Sequence, residues 1–261
     1  MHRLTKSGNV VILAVFVLFL SGMVYTPFDA YSQEFVDERL SGGSWTHLFG
    51  VDHLGQDVLS RVWLGAGQSL IYAFVASVLT LLMSAVLLWL DGVGGRVVST
   101  CIRSMVSLGI ALPVLLLGLV LMMFMPRDPI VLALAVSLAG IPFVFRQLRV
   151  LWLEQQSAGY VIASRAIGGD AKHVFWFSIW PNVLPQLLEL WKLAYAVAIL
   201  ELSSLTFLGL SGDPNWAELG SLLRSYQKHV IVQPMLVVWP GLVLCSLLLL
   251  IRQVRTDRLG E

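Results

Sequence analysis

The chain has 261 residues, of which 57% are hydrophobic and only 13% charged, and its mean hydropathy is +0.80. A water-soluble domain carries about a quarter charged residues, so this composition excludes a surface clothed mainly by water and points to lipid. The formal net charge of +1 gives no ground for a nucleic-acid partner; what matters is where the charges sit.

A helix needs about 20 mainly apolar residues to cross a hydrocarbon core of roughly 30 Å, and six stretches meet or approach that length. The first, Asn9 to Val24, follows a basic start (Arg3, Lys6) and has small residues at Ser21 and Gly22, which also fits a signal peptide. No A-x-A site follows, so it is read as a retained span. The second stretch runs from about Ser69 to Leu90, the third from about Ser104 to Met125. A Pro126-Arg127-Asp128-Pro129 turn leads into the fourth, Ile130 to Phe145. The fifth covers Val183 to Leu205 and the sixth Met235 to Ile251. The expected fold class is therefore all-α, a polytopic membrane protein of about six transmembrane helices. The expected organisation is an N-terminal transmembrane helix over 1–30, an outer loop over 31–68, a core over 69–251 and a short tail over 252–261.

Lysine and arginine placement sets orientation. With the N terminus inside, the inner segments hold eleven of the 17 basic residues and the outer ones five, with Lys192 inside a span. Both termini are thus expected to be cytoplasmic. Cys101 and Cys245 lie far apart in apolar runs, and the five histidines are scattered without ligand spacing, so no metal site is expected.

Between the fourth and fifth spans, residues 154–182 are too few for a domain and too many for a turn. Small residues at Ala163, Ala166 and Gly168 allow close backbone approach, and Arg165 and Lys172 supply charge. Gly168-Gly169 is predicted to end a short helix through a left-handed cap. Asp170 is predicted to cap a second helix, and Pro181 to stop that one and start the next span. On physics alone, an amphipathic helix resting on headgroups explains the segment better than protein docking does.

Charges elsewhere admit paired readings. Glu189 and Lys192 lie three apart and can pair along one helix face, or can face the pathway. Glu201 has no such partner in its own span, and a charge inside a span faces protein or water. In the outer loop, Gly50 and Gly55 fit turns, while Asp52, Asp57 and Arg61 can form a local charge network or contact an external partner. Trp216 to Gln233 reads as a partly amphipathic, lid-like element.

Three stretches carry a resemblance. Tyr160-Val-x-Ala-Ser-Arg-Ala-x-Gly168, followed by Pro181-Asn182, resembles the cytoplasmic coupling loop of bacterial ABC-importer permeases. His47-Leu-Phe-Gly50-Val-Asp52-His-Leu-Gly55-Gln-Asp57-Val-Leu-Ser60-Arg61 resembles the signature before the second span in the dipeptide, oligopeptide and nickel permeases. Leu205-Thr-Phe-Leu208-Gly-Leu, then Trp216-Ala-Glu-Leu-Gly220 and Trp239-Pro240-Gly241, is similar to that family's fifth-to-sixth-span region. Together they span about His47 to Leu244, and the chain most resembles the second permease of the pair.

The resemblance implies a type I ABC importer permease fold and a non-catalytic pore subunit. It implies a homologous second permease, two ATPase subunits or domains that bind ATP and Mg, and an extracytoplasmic substrate-binding protein as partners in the bacterial inner membrane. The chain itself lacks a G-x-x-x-x-G-K-[ST] phosphate loop, so no cofactor is expected on it. The residues implied to couple to the ATPase are Tyr160, Ala163, Ser164, Arg165, Ala166, Gly168 and Gly169. Glu201 matches a glutamate common in the family, implying pathway lining or contact with the second permease. Departures include Ile162 where an acidic residue is usual, Ser164 in place of a second alanine, Trp180 before Pro181, and the short tail. They suggest a divergent subfamily. A self-sufficient secondary transporter or channel, or a scaffold recruiting a soluble enzyme, are the other readings; the internal repeat a secondary transporter would carry is not found.

Overall fold

Asp57 starts a long helix of the computed structural model, which describes residues 14–210 and 215–253. Its carboxylate accepts the Ser60 backbone N–H at 2.8 Å and caps helix α1 (Val58–Val93). The 36 residues of α1 rise about 54 Å at 1.5 Å each, so the helix projects beyond the hydrocarbon layer. It also begins well ahead of the expected span start at Ser69, and the outer loop is correspondingly shorter.

The third apolar stretch is not one helix. It divides into α2 (Gly95–Ala111) and α3 (Val114–Met123), which meet at a 102° bend. Leu112-Pro113 causes the break. Leu112 is extended at φ −99° and ψ 139°, as a residue ahead of proline prefers, and Pro113 cannot donate the next helical hydrogen bond. Asp128 then caps α4 (Pro129–Gln156) by accepting the Ile130 N–H at 2.8 Å.

A short helix, α5 (Gly159–Ala166), precedes α6, which is continuous from Ala171 to Phe207. The helix was expected to stop at Pro181. Instead it passes through a π-helical turn at Val174–Ile179 and continues. The widened turn relieves the clash of the proline ring with the preceding carbonyl. Beyond residues 211–214, α7 (Leu219–Tyr226) and α8 (Met235–Gln253) complete the bundle.

Among the described residues, four helices (α1, α4, α6 and α8) are long and apolar enough to cross a membrane, and the bent pair is a fifth candidate. Of the expected first span, residues 9–13 lie outside the described residues; residues 14–21 are helical and a turn follows. Among the described residues there is no strand, only an isolated bridge between Val51 and Asp57. The all-α polytopic expectation matches this architecture.

Small residues set the packing. Ala66, Ala73, Ala76 and Thr80 on α1 are buried at helical spacing, which brings α4 and α6 close. Thr80 Oγ1 lies 2.8 Å from the Ala76 carbonyl and 3.1 Å from the Ser137 carbonyl of α4. Tyr195 of α6 donates its hydroxyl to the Leu70 carbonyl at 3.0 Å. One apolar core joins α1, α4, α6, α7 and α8 around Leu70, Leu132, Ile199, Leu222 and Leu247.

Candidate functional site

At one end of the bundle the segment before α1 folds into a polar clasp. Asp52 Oδ1 accepts the N–H groups of Leu54 (2.8 Å) and Gln56 (3.0 Å), and its Oδ2 lies 3.7 Å from Arg61 Nη1. Gly55 permits the turn between them with φ +83°, a region costly for any residue with a Cβ. Asp57 pairs with His47 Nδ1 at 2.8 Å while capping α1. Arg61 reaches the Asn215 carbonyl at 3.1 Å, so Asp52, Asp57 and Arg61, all buried, tie the loop to the segment before α7.

Glu218 completes this end, and the sequence reading did not single it out. It is fully buried and caps α7. Oε1 accepts the Ser69 hydroxyl at 2.9 Å and the Ser203 hydroxyl at 2.7 Å. Oε2 accepts Thr206 at 2.5 Å, Gly220 N–H at 2.8 Å and Ser221 N–H at 3.1 Å. A capping position ahead of Leu219-Gly220-Ser221 was its only local signal, because Ser69 and Ser203 lie far away in sequence. Close approach reinforces the junction: a Cβ on Gly220 would fall 2.0 Å from the Ser203 carbonyl oxygen.

Within the bundle, Glu201 of α6 borders an apolar cavity of about 140 Å³ with Thr80, Val114, Gly140 and Phe143. Its Oε2 is buried without a hydrogen-bond partner among the described residues. Val114 is the first residue of α3, so this carboxylate sits beside the 102° break. Glu189 and Lys192 do not join it; they pair with each other at 2.6 Å.

At the opposite end, α5 presents an open face. Val161 is buried against Val174 and Ile179, with Trp152, Ala158 and Val183 packed around them. Ser178 Oγ donates to Ser164 Oγ at 3.1 Å, and the Tyr160 hydroxyl to Gln155 Oε1. Ala163, Arg165 and Ala166 are exposed, as are Ile162 (57%) and Ile167 (87%). Neither isoleucine was picked out as a contact residue, since apolar residues in a membrane protein are unremarkable until the fold leaves them exposed outside its core. Gly168 has φ +90° and only open space where a Cβ would stand. Gly168 and Gly169 N–H groups donate to the Arg165 and Ser164 carbonyls at 3.0 and 3.1 Å, closing the helix. Asp170 then caps α6 through the His173 N–H at 2.8 Å.

A helical bundle too apolar for water, with a short exposed helix held against the root of a membrane-crossing helix, defines a multi-pass membrane protein. Residues 92–258 match the family described as binding-protein-dependent transport system inner membrane component. The dipeptide transport system permease protein DppC of Haemophilus influenzae is 30% identical, over 93% of this chain and 84% of its own length. Its Escherichia coli counterpart is 32% identical over 90% and 79%. The di/tripeptide transport system permease protein DppC of Pseudomonas aeruginosa is 29% identical over 89% and 78%. The chain belongs to the family of binding-protein-dependent importer permeases, on the dipeptide and oligopeptide branch, and is a permease subunit of such an importer.

Proposed function

We propose that this permease imports short peptides, and that α5 is the helix through which partner ATPases drive it. The relatives' names support peptides over nickel as cargo, since those relatives are described as dipeptide or di/tripeptide permeases. A homologous second permease supplies the other half of the pathway, and an extracytoplasmic binding protein delivers the cargo. ATP and Mg reside on two ATPase subunits or domains, and this chain is the mechanical element. Its N and C termini face the ATPase side.

The observation that carries the mechanism is the joint between α5 and α6. Val161 locks α5 to the π-turn at Val174–Ile179, and α6 then runs unbroken to Phe207. At 1.5 Å per residue, a displacement of α5 is passed along a rod of about 55 Å. That rod carries Glu201 past the α2–α3 break and ends at the Ser203, Thr206 and Glu218 junction. Ile162, Ile167, Ala163 and Arg165 offer the ATPase an apolar face with one cation. Asp52, Asp57 and Arg61 hold the loop facing the binding protein, and Glu201 lines the pathway.

Uptake of a labelled dipeptide and of nickel, in cells lacking or carrying this subunit, tests the cargo. Peptide uptake is expected to depend on the subunit. Nickel uptake that depends on it, with peptide uptake unchanged, contradicts the proposal.

A further inference from the structure

Three arginines gather where α2 meets α4, at the α5 end of the bundle. Arg103 grips Asp91 through two bonds of 2.9 and 3.2 Å, and Arg149 Nε lies 3.4 Å from the same carboxylate. Ser99 donates to it at 2.5 Å. Arg146 is exposed and has no hydrogen bond or ion pair among the described residues. Two guanidiniums therefore share one carboxylate while Arg146 lines the same cavity beside them, leaving an excess of positive charge.

These arginines line a cavity of about 460 Å³. A second cavity of about 400 Å³ shares Ile110, Arg146 and Val150 with it and continues between Leu112, Pro142 and Phe143. The combined groove is basic at one end, with Gln147 beside Arg146, and apolar toward Leu112, Pro142 and Phe143. A cation cluster leading into an apolar slot is complementary to an amphiphile with an anionic head.

Depth selects which amphiphile. From Ile130, at the start of α4, to Arg146 is about 24 Å of helical rise, and the hydrocarbon core is roughly 30 Å thick. A long arginine side chain reaching outward from that level ends among headgroups. The apolar slot runs the other way, from Arg146 back toward Pro142 and Phe143, at acyl-chain depth. Basic pockets between spans on this pattern hold anionic lipid headgroups.

We propose that the groove between α2 and α4 is a binding site for one anionic phospholipid, its phosphate on Arg103, Arg146 and Arg149 and an acyl chain against Ile110 and Phe143. The lipid braces the two sides of the α2–α3 break.

Native mass spectrometry of the full chain, extracted in mild detergent with the subunits it carries, tests this with phosphatidylglycerol and phosphatidylcholine as probes. Wild type is expected to retain phosphatidylglycerol in preference to phosphatidylcholine. Arg146→Gln is expected to weaken phosphatidylglycerol about five-fold, as for one basic residue at a headgroup. Ile110→Trp, which fills the slot without touching a charge, is expected to weaken it as well. Arg252→Gln removes a cation from the exposed end of α8, outside the groove, and is expected to leave binding unchanged. Equal retention of the two lipids, or unchanged binding in both groove variants, overturns the site. Displacement by inorganic phosphate alone would make it a free-anion site, and displacement by a dipeptide would make it part of the cargo path; either overturns the lipid assignment.

Discussion

Glu218 accepts the hydroxyl proton of Ser203 at 2.7 Å, joining the turn ahead of α7 to the C-terminal part of α6. The same carboxylate also holds Ser69 of α1, so one fully buried acid ties three helices. With five donors directed at two oxygens, it is satisfied only as an acceptor. Glu218→Gln turns an NH₂ group toward these donors and is expected to destabilise the protein by about 2–3 kcal/mol. A melting curve of the detergent-extracted protein reads this as a drop of several degrees; an unchanged melting temperature contradicts the account of the junction.

Gly168 combines φ +90° with an open surface position. Gly168→Trp is expected to leave membrane insertion intact and to abolish cargo-stimulated ATP hydrolysis, because the new side chain stands where a partner must approach. Gly168→Ala adds only the backbone cost, about 1–2 kcal/mol for a left-handed residue with a Cβ, and is expected to keep part of the stimulation. Full stimulation in the tryptophan variant removes α5 from the docking surface.

Glu201 meets an apolar cavity with one oxygen unpartnered among the described residues. Substitution with glutamine keeps the shape and removes the charge. Uptake is expected to fall several-fold while co-purification of the second permease stays the same. Unchanged uptake at every cargo concentration makes this glutamate a passive part of the packing.

His53 packs against His229, ring centroids 4.6 Å apart, at the edge of the Asp52 clasp. Burial lowers its pKa, and His229, Arg61 and Lys228 add to that shift, while Asp52 opposes it. The folded state therefore binds protons less readily than the unfolded chain, so stability falls as pH drops below about 6.5. His53→Gln is expected to flatten that fall when melting temperature is followed from neutral to mildly acidic pH. An identical pH profile in wild type and variant contradicts the assignment.

The spans were legible in the sequence because lipid demands long apolar runs, and the exit from α5 was legible because Gly168-Gly169 admits few conformations. The bend at Leu112-Pro113 was hidden by the unbroken hydrophobicity on both sides, although Pro113 marked the place. The π-turn before Pro181 was hidden for a related reason: proline predicts a disturbance, but not whether a helix stops or widens. The polar clasp ahead of α1 was partly readable, since Asp52, Asp57 and Arg61 lie within ten residues. Glu218 was not, because its partners come from α1 and α6. The arginine groove likewise draws Arg103 from one helix and Arg146 and Arg149 from another, around an Asp91 that belongs to a third. Such sites exist only once the helices are packed.

Whether this subunit is driven by partner ATPases is decided by purifying the tagged chain from its membrane in mild detergent, identifying every co-purifying subunit and measuring ATP hydrolysis. One second permease and two ATPase subunits or domains are expected, with hydrolysis that collapses when Gly168 is replaced by tryptophan. A stable homo-oligomer that transports cargo without any ATPase partner would contradict this.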